Sequence, residues 1–387
     1  MKILYITPYN ITDSIAQSGT VVSIKEALIT AGNTVEVIDN LKVNKFYYIY
    51  IKMIEKLTKK SRDILREPFV LKSFCKQIND RKSSVEYDAV FSSTSVLCAF
   101  FQDTKPIVYF TDATFGGMLD YYWDSNKWTR KGIYNGNYIE GLALRNCDKA
   151  IFASVWAVNT ALTCHNAQKE NCIAINRGAN IHHSFSNENI ETYISGRNVM
   201  NRLSYYKMLF VGRDWIRKGG HEAIEIVKKL NNAGYKCKLI IVGCMPELSR
   251  DNLQYVDYIG FLNKSIEKEN KILHELFLTS DFYLQPSRKE CQGIAYAEAS
   301  AFGLPCIARN TGGVSGIVTS NNGLLFESDA TIGDYVEKII EYINNPQMYK
   351  NLCMSTFKFY SENLTWKSVG TRLTDVLEEL VFRNTHQ

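Results

Sequence analysis

The sequence predicts an α/β protein of two doubly wound, Rossmann-like domains facing each other across a cleft. Three observations carry this. The chain has 387 residues, enough for two domains that each bury a core. Short β-rich apolar runs alternate with helical stretches from the first residues onward, which is the pattern of βαβ units and a parallel sheet. The alternation stops in a polar stretch at 184–202 and restarts at 208.

Residues 2–7 read as the first strand, 8–19 as a turn-rich loop and 21–31 as a helix closed by Gly32 and Asn33. The run TVEVI at 34–38 is the next strand. Further strands are expected at 88–91, 106–110, 149–153 and 172–175, with helical stretches such as 138–145 between them. The stretch 184–202, rich in Ser, Asn and Glu and without periodicity, reads as a linker.

In the second half, strands at 208–212 and 238–243 flank a helix at 221–232, and others follow at 255–259, 282–284 and 305–308. Residues 366–382 form an amphipathic helix with Val369, Leu373, Val376, Leu377 and Leu380 on one face. The expected organisation is a first domain over 1–185, a linker over 186–203, a second domain over 204–365 and a closing helix over 366–387. In doubly wound sheets, ligands bind at the carboxyl ends of the strands.

Composition narrows the function. With 45% hydrophobic residues, 7 Pro and 23 Gly, the chain is neither disordered nor collagen-like. A net charge of +5 is too small to argue for nucleic acid. The 10 Cys include no Cys-x-x-Cys pair, which suggests reduced thiols in a cytoplasmic protein. The N-terminus reaches polar residues too soon for a signal peptide. No apolar run approaches the roughly 20 residues of a spanning helix, so the chain reads as soluble or peripheral.

Two stretches carry chemistry. Residues 210–220 (FVGRDWIRKGG) end a strand and lead into a helix. They bring Arg213 and Lys218 to a strand end beside unpaired helix N–H groups. This suits a diphosphate, and a solvated basic loop fits equally well. Residues 286–298 (PSRKECQGIAYAE) set Glu290 just before a helix and Glu298 one to two turns into it. Gly293 allows close approach to the helix N-terminus. Glu298 lies on the side facing the sheet, an unusual place for a charge unless a polar ligand meets it.

The order Gly-Arg-x4-Lys, then Glu-x7-Glu between Pro286 and Gly303-Leu304-Pro305, resembles the retaining family-4 glycosyltransferases of the GT-B fold (glycosyl transferases group 1). Residues 152–157 and 177–180 resemble the strand ends closing that family's N-terminal domain. Asn310-Thr311-Gly312-Gly313 and Asn322-Gly323 resemble its late glycine turns.

The resemblance implies an acceptor-binding first domain, a donor-binding second domain, and a final helix crossing back onto the first. It implies that Arg213 and Lys218 hold the donor diphosphate, and that Glu290 meets donor-sugar hydroxyls beside backbone N–H groups of Cys291, Gln292, Gly293 and Ile294. It further implies that Glu298 accepts from the ribose and that the base lies near Gly260, Phe261 and Leu262. Gly19 would let the first domain approach the diphosphate. Asp112 stands where many members have a His facing the sugar; an N-cap Asp is the alternative.

Two departures stand out. The first loop has only Ser18-Gly19-Thr20 where members have a glycine pair, and Cys291-Gln292-Gly293 replaces Gly-Phe-Gly. No donor identity therefore carries over.

There is no Asp-x-Asp and no ligand-spaced His/Cys/carboxylate cluster, so no metal or cofactor is expected, and cations with a helix dipole would stabilise the leaving group. No G-x-G-x-x-G follows either opening strand, against a dinucleotide-dependent oxidoreductase.

Residues 42–82 hold twelve Lys or Arg against Glu55, Asp63, Glu67 and Asp80, interleaved with Tyr47, Tyr48, Tyr50, Ile51, Met53, Ile54 and Leu57. Such a stretch can lie on an anionic membrane surface or form a solvated helical face. The expected partners are a nucleotide sugar, a glycan or lipid-linked acceptor and the inner face of a membrane. The role expected from the resemblance is cell-surface polysaccharide or glycolipid assembly in bacteria. A nucleotide-sugar epimerase and a non-catalytic sugar-nucleotide binding module are the alternatives.

Overall fold

A computed structural model of the chain describes residues 1–11, 19–181, 187–196 and 205–386. They form two compact units, Met1–Arg177 with Trp366–Gln387, and Gly178–Thr365.

The first unit holds a parallel sheet of β1 (Lys2–Ile6), β2 (Thr34–Ile38), β3 (Ala89–Ser92), β4 (Ile107–Thr111), β5 (Lys149–Phe152) and β6 (Cys172–Ala174). The spatial order is β2-β1-β3-β4-β5-β6, with Ile3 beside Val35 on one side and Ala89 on the other. Helical crossovers cover both faces of a parallel sheet, so its inner strands are apolar throughout. Leu4 and Ile6 enter one core, and Ile3 and Tyr5 enter the core on the other face.

The second core contains Val21, Ile24 and Leu28 of the helix Thr20–Thr30, and Val369, Leu373 and Leu377 of the closing helix Trp366–Thr385. These two helices can meet closely because position 370 is glycine. A Cβ there would stand 2.2 Å from the Ala27 carbonyl oxygen. Asn33 Nδ2 donates to Thr374 Oγ1 at 2.7 Å. The closing helix is therefore a structural part of the first unit, although the whole second unit separates it from the rest in sequence.

The second unit holds β7 (Tyr206–Val211), β8 (Cys237–Val242), β9 (Val256–Gly260), β10 (Phe282–Gln285), β11 (Cys306–Arg309) and β12 (Gly323–Phe326). All are parallel, in the order β12-β11-β10-β7-β8-β9. The strand order reverses between β7 and β10 here, and between β1 and β3 in the first unit. Such switch points open a crevice outside the carboxyl ends of the strands.

The structure corrects four sequence expectations. Part of the expected linker is the helix Asn187–Ser195, with Ile190 and Ile194 buried in the second unit's core. Two apolar residues four apart in a polar run are too few to show as a period. The chain enters the second unit at Gly178, ahead of the expected boundary, because Ala179 is buried in that core and its N–H donates to the Leu364 carbonyl at 2.9 Å. The helix expected at 138–145 runs over Arg130–Asn146. Its glycines disguise the first half, yet Gly136 is needed, since a Cβ there would overlap the Phe115 ring at 2.3 Å. β12 was hidden behind its opening glycine turn.

No disulfide joins any of the ten cysteines, and burial pushes the Cys98, Cys237 and Cys306 thiols up to about 12. Among the described residues, no helix is long and apolar enough to cross a membrane.

Candidate active site

In the second unit, the loops after β7 and β10 meet at the switch point. The β7 loop is a tight turn folded on Asp214. Its carboxylate accepts from the Arg217 N–H at 3.0 Å and from Arg217 Nε at 3.2 Å, and its carbonyl accepts from the Lys218 N–H at 3.1 Å. Gly219 follows at φ +77°, where a Cβ would lie 2.1 Å from the Pro286 carbonyl oxygen. Only glycine tolerates both that φ and that approach. The loops are then stitched by the Arg288 N–H donating to the Arg217 carbonyl at 2.8 Å.

This places Lys218 and Glu290 in contact. Glu290 is buried, and its Oε2 accepts from Lys218 Nζ at 3.1 Å and from Arg217 Nη1 at 3.2 Å. Arg217 Nη1 also donates to the Lys289 carbonyl at 3.0 Å, and Lys218 Nζ reaches the Gln285 side-chain oxygen at 3.3 Å. The Lys218 stem runs past Gly212, where a Cβ would stand 2.2 Å from its Cδ. Two cations share one carboxylate, so the cluster carries excess positive charge at low exposure. Such a cluster attracts an anion more strongly than it would in water.

Beyond Glu290, Cys291 and Gln292 are buried, and Gly293 at φ +84° precedes the short helix Ile294–Ser300. Gln292 Nε2 has no hydrogen-bond partner among the described residues. Glu298, only 2% exposed, is paired with Lys264 from the loop after β9. In that same loop the Phe261 ring lies 4.5 Å from the Arg213 guanidinium, beside half-buried Leu262. Lys218 and Glu290 thus share one cluster, Glu298 and Lys264 form a second pair, and exposed Arg213 stacks on Phe261 apart from the shared carboxylate.

In the first unit, Gly19 at φ +82° opens the helix Thr20–Thr30, and its carbonyl accepts from Ser23 Oγ at 3.1 Å. The rest of its expected loop, including Ser18, lies outside the described residues. Asp112 follows β4 and pairs with Arg177 Nη1 at 3.5 Å. It does not cap the helix Phe115–Met118; Thr114 does, through the Gly117 N–H at 3.1 Å.

Sequence reasoning missed Arg217, Lys264 and Gln285. Arg217 was visible as the neighbour of Lys218, but adjacency does not reveal a shared partner. Gln285 is the polar end of an apolar strand, a signal that could have been used. Lys264 carries no local mark.

A family model of glycosyl transferases group 1 matches residues 198–356. An uncharacterised glycosyltransferase of Methanocaldococcus jannaschii is 28% identical over 65% of this chain and 65% of its own length. The Staphylococcus aureus capsular polysaccharide biosynthesis glycosyltransferase CapM is 26% identical over 45% of this chain and 49% of its own. The chain therefore spans less than two thirds of either relative. Anabaena HepE, solved in complex with UDP and glucose, superposes with a TM-score of 0.61 at 15% identity, covering 98% of this chain and 100% of its own. With two parallel six-stranded units and that match over 198–356, the chain belongs to glycosyl transferases group 1 and has the GT-B fold.

Proposed function

We propose that the chain is a retaining, metal-independent glycosyltransferase of family 4. It moves a sugar from a nucleoside diphosphate sugar to a glycan or lipid-linked acceptor in cell-surface polysaccharide or glycolipid assembly. The observation that carries this is the buried Lys218–Glu290–Arg217 cluster at the β7/β10 switch point.

In this reading, Lys218 and Arg213 stabilise charge that grows on the leaving diphosphate. Glu290 receives donor-sugar hydroxyls beside the backbone N–H groups of residues 291–294. Glu298 receives the ribose hydroxyls, the base lies by Leu262, and Gly19 and Asp112 act from the first unit. The bond from the anomeric carbon to the phosphate oxygen breaks as the acceptor oxygen bonds to that carbon on the same face. The acceptor proton passes to the departing phosphate. No cofactor beyond the donor is required, because the cations do the work of charge stabilisation.

A thermal-shift screen against UDP-, GDP-, ADP- and TDP-sugars without metal tests this, with the UDP sugars first given the HepE complex. One nucleotide class should stabilise the protein. Glu298→Ala should weaken that donor by about 10- to 100-fold, the loss of one charge-assisted hydrogen-bonding group. A folded protein that no nucleotide sugar shifts would defeat the proposal, and unaltered donor affinity in Glu298→Ala would defeat the ribose role. Free sugar formed by isomerisation without an acceptor would favour the epimerase reading instead.

The acceptor side of the proposal includes a membrane surface. The helix Lys45–Thr58 buries only Ile51. Phe46 (81% exposed), Ile49, Tyr50, Met53 and Leu57 (75% exposed) form an outward stripe at helical spacing, with exposed Lys45, Lys52, Lys56 and Lys60 beside it. Downstream, Arg62, Arg66 and Lys82 are spent on Glu67, Glu140 and Asp103, so the usable charge is concentrated on this helix. A basic helix with an outward apolar stripe is suited to an anionic interface, as on the inner face of a cell membrane. The protein should co-sediment with phosphatidylglycerol-containing vesicles at low salt. Phe46→Ser with Leu57→Ser should weaken this on the order of tenfold or more. Absence of wild-type binding at low salt would remove the membrane from the proposal.

A further inference from the structure

The carboxyl ends of β1, β3 and β4 surround a cavity of about 260 Å³ within the first unit, lined among others by Asp63, Arg66, Thr94, Asp112 and Trp123. It lies at that sheet's own switch point, where doubly wound sheets hold ligands.

Two features show that the cavity is built for something polar. Thr94 is more than nine-tenths buried, and its Oγ1 has no hydrogen-bond partner among the described residues. Buried hydroxyls are rarely left so unless a ligand or water completes them. Trp123 is held in place by Phe115 at 5.6 Å and Trp128 at 5.2 Å between ring centroids, so an aromatic surface stands ready beside the polar groups.

The charges decide what that ligand can be. Arg66 is already engaged: Nη1 donates to Glu140 Oε2 at 3.1 Å, Nε lies 3.6 Å from Asp63 Oδ2, and the guanidinium packs 4.8 Å from the Phe115 ring centre. Arg177 is paired with Asp112. Glu140 is wholly buried, with Oε1 unpartnered among the described residues. Carboxylates thus outnumber guanidinium groups, and both guanidinium groups have carboxylate partners. An entering phosphate or carboxylate would meet like charge at low exposure, which disfavours it. An uncharged ring with several hydroxyls would find hydroxyl and carboxylate acceptors and a flat apolar plate.

We infer that this cavity binds one uncharged sugar ring of the acceptor and rejects phosphorylated or uronic rings at that position. Thr94 and Asp112 bond its hydroxyls, and Trp123 packs on its C–H face. That the ring belongs to an acceptor rests on the transferase reading; the selectivity of the cavity does not.

Saturation-transfer NMR tests it on the full chain. The probes are methyl glycosides of glucose, galactose, mannose and N-acetylglucosamine, with glucose 6-phosphate and methyl glucuronide as charged counterparts. At least one neutral glycoside should bind, and its charged counterpart should bind at least tenfold more weakly. Thr94→Val and Trp123→Ala should each weaken the neutral ligand about tenfold, while Thr94→Ser restores it.

The inference is overturned if no neutral glycoside binds, if the charged probes bind as well, or if all three variants behave like the wild type. Nucleotide-sugar thermal shifts on the same samples separate the two proposals. Glycoside binding without any nucleotide-sugar shift leaves the cavity standing and sinks the donor reading. A nucleotide-sugar shift without glycoside binding does the reverse.

Discussion

Replacing Lys218 with Ala is expected to lower turnover by about 100- to 1,000-fold, the loss that follows removal of one preorganised group aimed at developing charge. The ammonium is fixed by three features that the substitution leaves intact: the Asp214 turn, the Gly219–Pro286 approach and the slot at Gly212. Arg217 cannot substitute for it, because its guanidinium is tied to Asp214, the Lys289 carbonyl and Glu290 at once. Arg217 does keep Glu290 paired, so the fold should survive. Lys218→Met retains the aliphatic stem and isolates the charge. Steady-state rates at saturating donor, with thermal unfolding as a control on folding, decide the matter. Turnover within a few-fold of wild type in both variants would take Lys218 out of the chemistry.

Leu373→Ala is expected to destabilise the first unit by about 2–5 kcal/mol, the range for emptying a buried leucine site. Leu373 is fully buried between the closing helix and the core holding Val21, Ile24 and Leu28. The rigid Gly370–Ala27 approach limits how far the helices can collapse into the space. For a unit of this size, the melting transition should fall by roughly 4–20 °C. Calorimetry should show that loss in the transition that nucleotide sugar does not stabilise. A loss below about 1 kcal/mol would mean that the helix contributes little to the unit.

The sheet was legible because strands covered on both faces write themselves as unbroken apolar runs, as at residues 3–6 and 239–242. The helix Asn187–Ser195 was not, because its burial depends on two isoleucines meeting a core assembled from distant segments. In the candidate site, Lys218, Glu290 and Glu298 stand out by motif order, since each is a charge beside a glycine turn or an apolar helix. Their partners are another matter. Lys264 meets Glu298 only because β9 is the far edge strand of its sheet and its loop returns toward the helix after β10. Arg217 converges on Glu290 only because Gly219 draws two loops together. Spacing along a chain records helix faces and strand alternation, and it carries little about which loops touch.

The division of the first unit into two sequence segments also sets an order of assembly. Asn33 and Thr374 are 341 positions apart, and the whole of Gly178–Thr365 is made between Arg177 and Trp366. At ordinary translation rates, that interval lasts roughly 10–40 s. During it the second unit can fold as a continuous segment, while the first waits with the seat of its last helix open. The apolar seat around Val21, Ile24 and Leu28 is then a surface that a nascent-chain chaperone can recognise. A ribosome stalled before Trp366 would display a finished donor-side unit beside an unfinished partner.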